Sequence, residues 1–250
     1  SGGKASVKPI QGGFILSEAG TKENPEKQGD FAIFTTEPET IVDHCWFRGG
    51  WWDPLTMTWN TISRGETRNT APGNDDAPGA SLYVPFSLKP GETRVIRLLM
   101  TWYVPNTNLK YGQDSKEAPA KENYEENCSC QDPFYSPWYS SGFADINEIA
   151  GYWKTNYSDL LGKSELFSNA FYASTLQPEV LEAIAANLTI LKSPTVLRQR
   201  DGKLWNWEGC GDNSGCCAGS CTHVWNYAQA IPHLFPSLER TLRHTEFWPS

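Results

Sequence analysis

The sequence predicts a multidomain β + α chain, a β-sandwich followed by a run of helices, on three observations. Apolar residues recur at period two up to about residue 108, a polar stretch bounded by prolines (Asn106 to Asp132) interrupts them, and after Pro137 the period becomes 3.6. These boundaries give a β domain over residues 1–110, a linker over 111–140 and a helical domain over 141–250. A chain of 250 residues is long enough to bury two cores of ordinary size.

The elements follow in order. Phe31-Ala32-Ile33-Phe34 is a short apolar strand. Ser81 to Leu88 sets Leu82, Val84, Phe86 and Leu88 on one face at period two, and Val95 to Val104 is a second, nearly continuous apolar strand. Lys89-Pro90-Gly91-Glu92 between them has Pro and Gly at the central positions of a turn, so a hairpin on a sandwich-type sheet is expected. Asn69 to Gly79, with two Pro and two Gly, is a loop. In the second part, Phe143, Ile146, Ala150, Trp153, Tyr157 and Leu160 share one helical face. A second helix opens with Pro178 in its first turn, carries Val180, Leu181, Ile184, Leu188 and Leu191 on one stripe, and ends before Ser193-Pro194. A third begins near Thr222, runs through Val224, Tyr227, Ala228 and Ile231, and is kinked or restarted by Pro232 and Pro236 toward Leu238 and Leu242. Arg198 to Cys221 is expected to be an ordered loop, because its Trp and Cys content is too apolar for disorder.

Composition narrows the function. With 11 Trp, 10 Tyr and 11 Phe at a mean hydropathy of -0.51, rings are placed at clefts as well as in the core, which suits carbohydrate among other ligands. A net charge of -8 without a Lys/Arg cluster argues against nucleic acid. No run of 18 apolar residues offers a membrane span, and Ser1-Gly2-Gly3-Lys4 lacks the apolar region of a signal peptide. The chain lacks a starting Met and stops directly after a helical pattern, so a piece of a longer protein is expected, and its ends assign no localisation. Seven cysteines exclude complete pairing within the chain.

The chemistry concentrates in Leu204-Trp205-Asn206-Trp207-Glu208-Gly209-Cys210 and the cysteines and histidine that follow. Glu208 stands between Trp207, whose ring can stack on a sugar or exclude water, and Gly209, which permits close approach of another group. Taken alone it reads more readily as a surface loop carboxylate than as a catalytic one. A retaining glycosidase needs a second carboxyl group about 5 Å away. Asp201, Asp212 and Glu246 are candidates without motif support. A rival reading takes Cys210, Cys216, Cys217, Cys221 and His223 as a tetrahedral zinc site, although the Cys-x2-Cys pairs of zinc ribbons are missing. Local disulfides or buried thiols are the plainer alternative, and the site residues include no metal ligand.

Trp207-Glu208-Gly209, the string Gly215-Cys216-Cys217-Ala218-Gly219-Ser220-Cys221-Thr222-His223-Val224-Trp225-Asn226-Tyr227, and Leu234-Phe235-Pro236-Ser237-Leu238-Glu239 resemble glycoside hydrolase family 116, the family of the bile acid β-glucosidase or non-lysosomal glucosylceramidase. Lys89-Pro90-Gly91-Glu92 and Met100-Thr101-Trp102-Tyr103-Val104-Pro105-Asn106 resemble the end of its N-terminal sandwich domain. The resemblance implies a β-sandwich followed by the first helices of an (α/α)6 barrel, a retaining mechanism on β-glucosides, and Glu208 as nucleophile. It implies an aspartate acid/base beyond residue 250, hence a piece inactive by itself.

His223 stands where the glucosylceramidases have a sugar-contacting aspartate, and an imidazole cannot reproduce a carboxylate's acceptor pair. The substrate class therefore widens from β-glucosides to β-xylosides and N-acetylglucosaminides. Trp205, Trp207 and His223 are the expected substrate-binding residues, and no cofactor is required because carboxylates and hydrogen bonds stabilise the oxocarbenium-like transition state. A non-catalytic carbohydrate-binding protein and a zinc-stabilised structural module are the alternatives.

Overall fold

The computed structural model describes residues 5–47, 53–73, 79–107, 136–188, 191, 196–200, 202–206 and 231–247. The chain divides into two compact units, one formed by residues 1–105 with 143–157 and the other by 106–142 with 158–250.

The first unit is built on an antiparallel sheet of β1 (Ala5–Ile10), β2 (Gly13–Glu18), β3 (Gly29–Phe34) and β6 (Leu99–Tyr103), in the order β1-β2-β3-β6. Phe14 lies opposite Ile33 and Leu16 opposite Phe31, while Ile33 and Phe31 in turn oppose Met100 and Trp102, so these side chains share one face. A small second sheet, β4 (Ile41–Asp43) with β5 (Ser81–Tyr83), stacks on that face near β1 and β2. Val7, Phe14, Cys45 and Ala80 form the buried cluster there, with Leu16, Ile33, Val42 and Leu82 packed against it. Toward β6 the same face is open: Met100 and Trp102 are exposed, and Trp102 leans on Phe31 with ring centroids 5.0 Å apart.

The opposite face carries Ile15, Ala32, Phe34, Leu99, Thr101 and Tyr103, all buried. Residues 143–157, which include the first half of helix α2 (Ile146–Tyr172), group with this sheet in one compact unit. Tyr103 donates its hydroxyl to the Phe143 carbonyl at 3.2 Å, Lys154 reaches Gln11 at 3.3 Å, and Arg97 lies 5.0 Å from the Tyr157 ring centroid. Ile146 and Ala150 are buried and Trp153, Tyr157 and Leu160 half-buried, the face that the 3.6 period predicts. The helix starts at a reciprocal cap, in which Asp145 accepts from the Glu148 amide at 2.9 Å and Glu148 accepts from the Ala144 amide at 2.6 Å.

Two expectations for this unit need correction. Residues 81–104 do not form a hairpin. The turn is present, with the Glu92 amide donating to the Lys89 carbonyl at 3.0 Å and Gly91 at φ +81°, but β5 pairs with β4 and β6 with β3. Pro85 removes a ladder donor from the first arm, and the turn connects two sheets instead of two neighbouring strands. The region also contains a helix, α1 (Pro54–Ser63), which period-two reading passes over. Asp53 caps it, accepting from the Leu55 amide at 3.0 Å and the Thr56 hydroxyl at 2.5 Å, with Pro54 in its first turn.

In the second unit, α3 (Pro178–Leu188) buries Leu181 and half-buries Ile184 and Leu188, as its stripe predicts, whereas Val180 is exposed. Helix α4 (Pro236–Phe247) starts at the proline expected to restart the third helix, and Ile231 just before it is fully buried. The expected start of that helix near Thr222 lies outside the described residues. The remaining elements, β7 (Val196–Arg198) and β8 (Leu204–Asn206), make a short antiparallel hairpin.

Candidate functional site

The β7–β8 hairpin leads in sequence to Trp207-Glu208-Gly209, and it corrects the expectation of an ordered loop from Arg198 to Cys221 over residues 198–206, which belong to the hairpin; 207–221 lie outside the described residues. Its turn is specified locally. The Gly202 amide donates to the Gln199 carbonyl and the Gln199 amide to the Lys203 carbonyl, both at 2.8 Å, with Gly202 at φ +89°. That left-handed conformation is cheap only for glycine, and Asp201-Gly202 is the sequence signal that announces it. A third segment extends the pairing: Pro137 bridges Gln199, and the Arg200 amide donates to the Ser136 carbonyl at 2.9 Å. The Arg198 guanidinium sits over the Trp138 ring, 4.2 Å from its centroid.

All three residues of β8 are buried: Leu204, Trp205 and Asn206 are 3%, 4% and 0% exposed. Their register places Trp205 opposite Leu197 and Asn206 opposite Val196. The Trp205 indole donates to Gln199 Oε1 at 3.1 Å, across the hairpin and out of water, since Gln199 is 3% exposed. Helix α4 packs on β8, and its Leu242 is buried. On α4, Glu239 accepts from Arg243 Nε at 2.6 Å, one turn apart. Chemically, the arrangement is a dry, cross-linked strand end that can hold whatever follows residue 206 to a fixed origin.

Of the residues expected to form the site, Trp205 is thus placed as a buried anchor. Glu208, Trp207 and His223 lie outside the described residues, as do Asp201, Asp212 and the cysteines at 210, 216, 217 and 221; Glu246 falls within α4. Among the described residues no group of three or more His, Cys, Asp or Glu side chains is gathered to hold a metal ion. Cys45 is a thiol buried in the sandwich core. Sequence reasoning passed over Gln199, whose signal is its place one turn ahead of Trp205 across an Asp-Gly turn.

A family model described as beta-glucosidase 2, glycosyl-hydrolase family 116 N-term, matches residues 4–160. The chain belongs to glycosyl hydrolase family 116. The family 116 match covers both sheets of the sandwich unit and the first half of α2, the part of the helix that packs on it. It stops short of the hairpin, so family 116 membership rests on the sandwich and not on the tryptophan-rich segment. No curated protein matches the chain. Membership in a glycoside hydrolase family makes carbohydrate the substrate class. No described helix is long and apolar enough to cross a membrane.

Proposed function

We propose that this protein is a retaining β-glycosidase, with Glu208 as the nucleophile that attacks the anomeric carbon and forms a covalent glycosyl-enzyme. The observation that carries the reading is the family 116 sandwich over residues 4–160, followed in the same chain by Trp205-Asn206-Trp207-Glu208-Gly209. In a retaining mechanism one carboxylate attacks while a second protonates the leaving oxygen, then activates water to release the sugar. The second group is proposed to be an aspartate beyond residue 250, and the helices of the second unit the first of an (α/α)6 barrel. Trp207 stacks on the sugar, His223 meets its hydroxyls, and Trp205, buried in β8, supports the aromatic wall from behind. The substrate is a β-glucoside, β-xyloside or N-acetylglucosaminide, and the reaction needs no cofactor.

The test is mass spectrometry of the full-length protein after incubation with 2-deoxy-2-fluoro-β-glucosyl and β-xylosyl probes. A covalent adduct on the peptide holding Glu208 is the expected result, and Glu208→Gln should lower turnover by roughly three orders of magnitude or more. Folded protein that binds sugar yet forms no adduct with either probe would move the reading to a carbohydrate-binding module or to a substrate outside β-glucosides and β-xylosides.

A further inference from the structure

We propose that the open end of the main sheet is a second, non-catalytic carbohydrate site, which holds a unit of a neutral β-linked glucose or xylose chain. It rests on the family's substrate class and on no reading of Glu208. The register builds it in two rows on one face. Leu16, Phe31 and Trp102 oppose one another across β2, β3 and β6, and two residues along, Glu18 opposes Gly29. Val104 closes the second row, since a Cβ built on Gly29 would make an ordinary contact with its Cγ2 at 3.9 Å. The glycine therefore leaves a notch between Glu18 and Val104, two strand spacings or roughly 10 Å across. All of these residues line one open cavity of about 310 Å³. The intervening Asp30 belongs to the other face, where it accepts from the Ser17 hydroxyl.

The lining selects the occupant. Trp102 is 59% exposed and its ring is tilted 46° to that of Phe31, so the pair presents an angled aromatic surface. A β-linked glucose or xylose ring, with its substituents equatorial, has flat C–H faces that pack on such a surface and hydroxyls around its edge. Glu18 is exposed, and its carboxylate makes no hydrogen bond or ion pair with another described residue, so both oxygens can accept from a pair of hydroxyls. Among the described residues no lysine or arginine lines the cavity, and Glu18 on a chain of net charge -8 disfavours an anionic ligand. A purely apolar partner would cover that carboxylate without supplying a donor, which is costly. A neutral, hydroxyl-rich ligand with an apolar face satisfies both rows. The site binds without reacting, because it aims one carboxylate at the ligand and glycoside hydrolysis uses two.

The experiment uses the full-length protein with cellotetraose and xylotetraose, each carrying a photoreactive diazirine at its reducing end, and maps the cross-links by peptide. Saturable cross-linking to β2, β3 or β6, displaced by the unmodified tetrasaccharide, is expected with at least one of the two. Trp102→Ala, Glu18→Ala and Gly29→Leu should each raise the half-saturating concentration there by roughly tenfold or more. Gly29 is not in the left-handed region, so leucine can fill the notch without backbone strain; if that variant does not fold, the other two decide. Wild-type protein with no cross-link to these strands from either sugar, or cross-linking that folded Trp102→Ala and Glu18→Ala leave unchanged, would overturn the proposal. So would a wild-type dimer that Trp102→Ala converts to monomer, which would give the face to a second copy of the chain. The adduct of the 2-fluoro probes on Glu208 is scored separately: its absence with the sandwich cross-link retained removes the nucleophile and leaves this site standing, and an adduct without the cross-link does the reverse.

Discussion

Gly12 shows how a single position can hold a sheet together. It sits at φ +77° in the turn joining β1 to β2, and its carbonyl accepts from the Thr35 amide at 3.0 Å, which ties the turn to the end of β3. A Cβ there would lie 2.2 Å from the Thr35 oxygen, a backbone atom that cannot move aside without losing that bond. Gly12→Ala combines a left-handed backbone with this clash, so it should destabilise the sandwich by more than the ~1–2 kcal/mol of the conformation alone. A fall in the urea midpoint of the sandwich transition checks this, and an unchanged midpoint would refute it. Gly202 carries a comparable φ but only an ordinary 3.9 Å contact to Arg198, so its substitution is expected to be milder. Of the turns that need a positive-φ glycine, the one at Lys89-Pro90-Gly91-Glu92 was legible at residue scale, whereas those at Gly12 and Gly202 were passed over. Gln199 was passed over: the Asp-Gly turn sets it ahead of the Trp205 strand, but nothing in the sequence marks its amide as the acceptor of that particular indole.

At the scale of elements, helix α1 shows what period alone misses. Leu55, Trp59 and Ile62 do recur at helical spacing, but all three are exposed, while Thr58 and Thr61 are the buried residues. A stretch rich in Thr and Trp invites a β reading, and Asp53-Pro54 was the signal against it. The Asp53 carboxyl is held below the ordinary carboxylate range by the Thr56 hydroxyl first and the Leu55 amide second. A lowered folded pKa means that its contribution is present above the unfolded value and lost as pH falls through the folded one, below about pH 4. Asp53→Ala should therefore lower the Tm at neutral pH, with the gap from wild type closing in acid; a gap independent of pH would rule out the charged cap. The arms around Lys89-Pro90-Gly91-Glu92 failed for a different reason. The turn chemistry was right, but which strand pairs with which is decided by tertiary packing that alternation does not encode.

For the whole molecule, a mainly β first part followed by a mainly helical second part and the family were both readable, the second from strings too long to recur by chance, while α1 and the β7–β8 hairpin break that order. Where the compact units divide was harder to read, because period reports secondary structure and not the surface against which a face is buried. The contacts draw the line inside α2, between Tyr157 and Ser158. Ile146 and Ala150 belong to the sandwich's packing, so Ile146→Ala should cost about 2–5 kcal/mol of sandwich stability, the range for a large buried aliphatic. Unfolding followed by hydrogen exchange of the β3 and β6 amides would report it, and unaltered protection would remove α2 from that core.

The same helix sets a schedule for biosynthesis. The last strand of the main sheet, with its buried Leu99, Thr101 and Tyr103, is complete at Tyr103, yet the helical segment that packs with the sheet does not begin until Phe143. At ~5–20 residues per second, the ribosome leaves that apolar face uncovered for on the order of several seconds. A nascent chain paused in this interval is a client for chaperones that bind exposed apolar strands, and slower translation of the stretch between would lengthen that exposure.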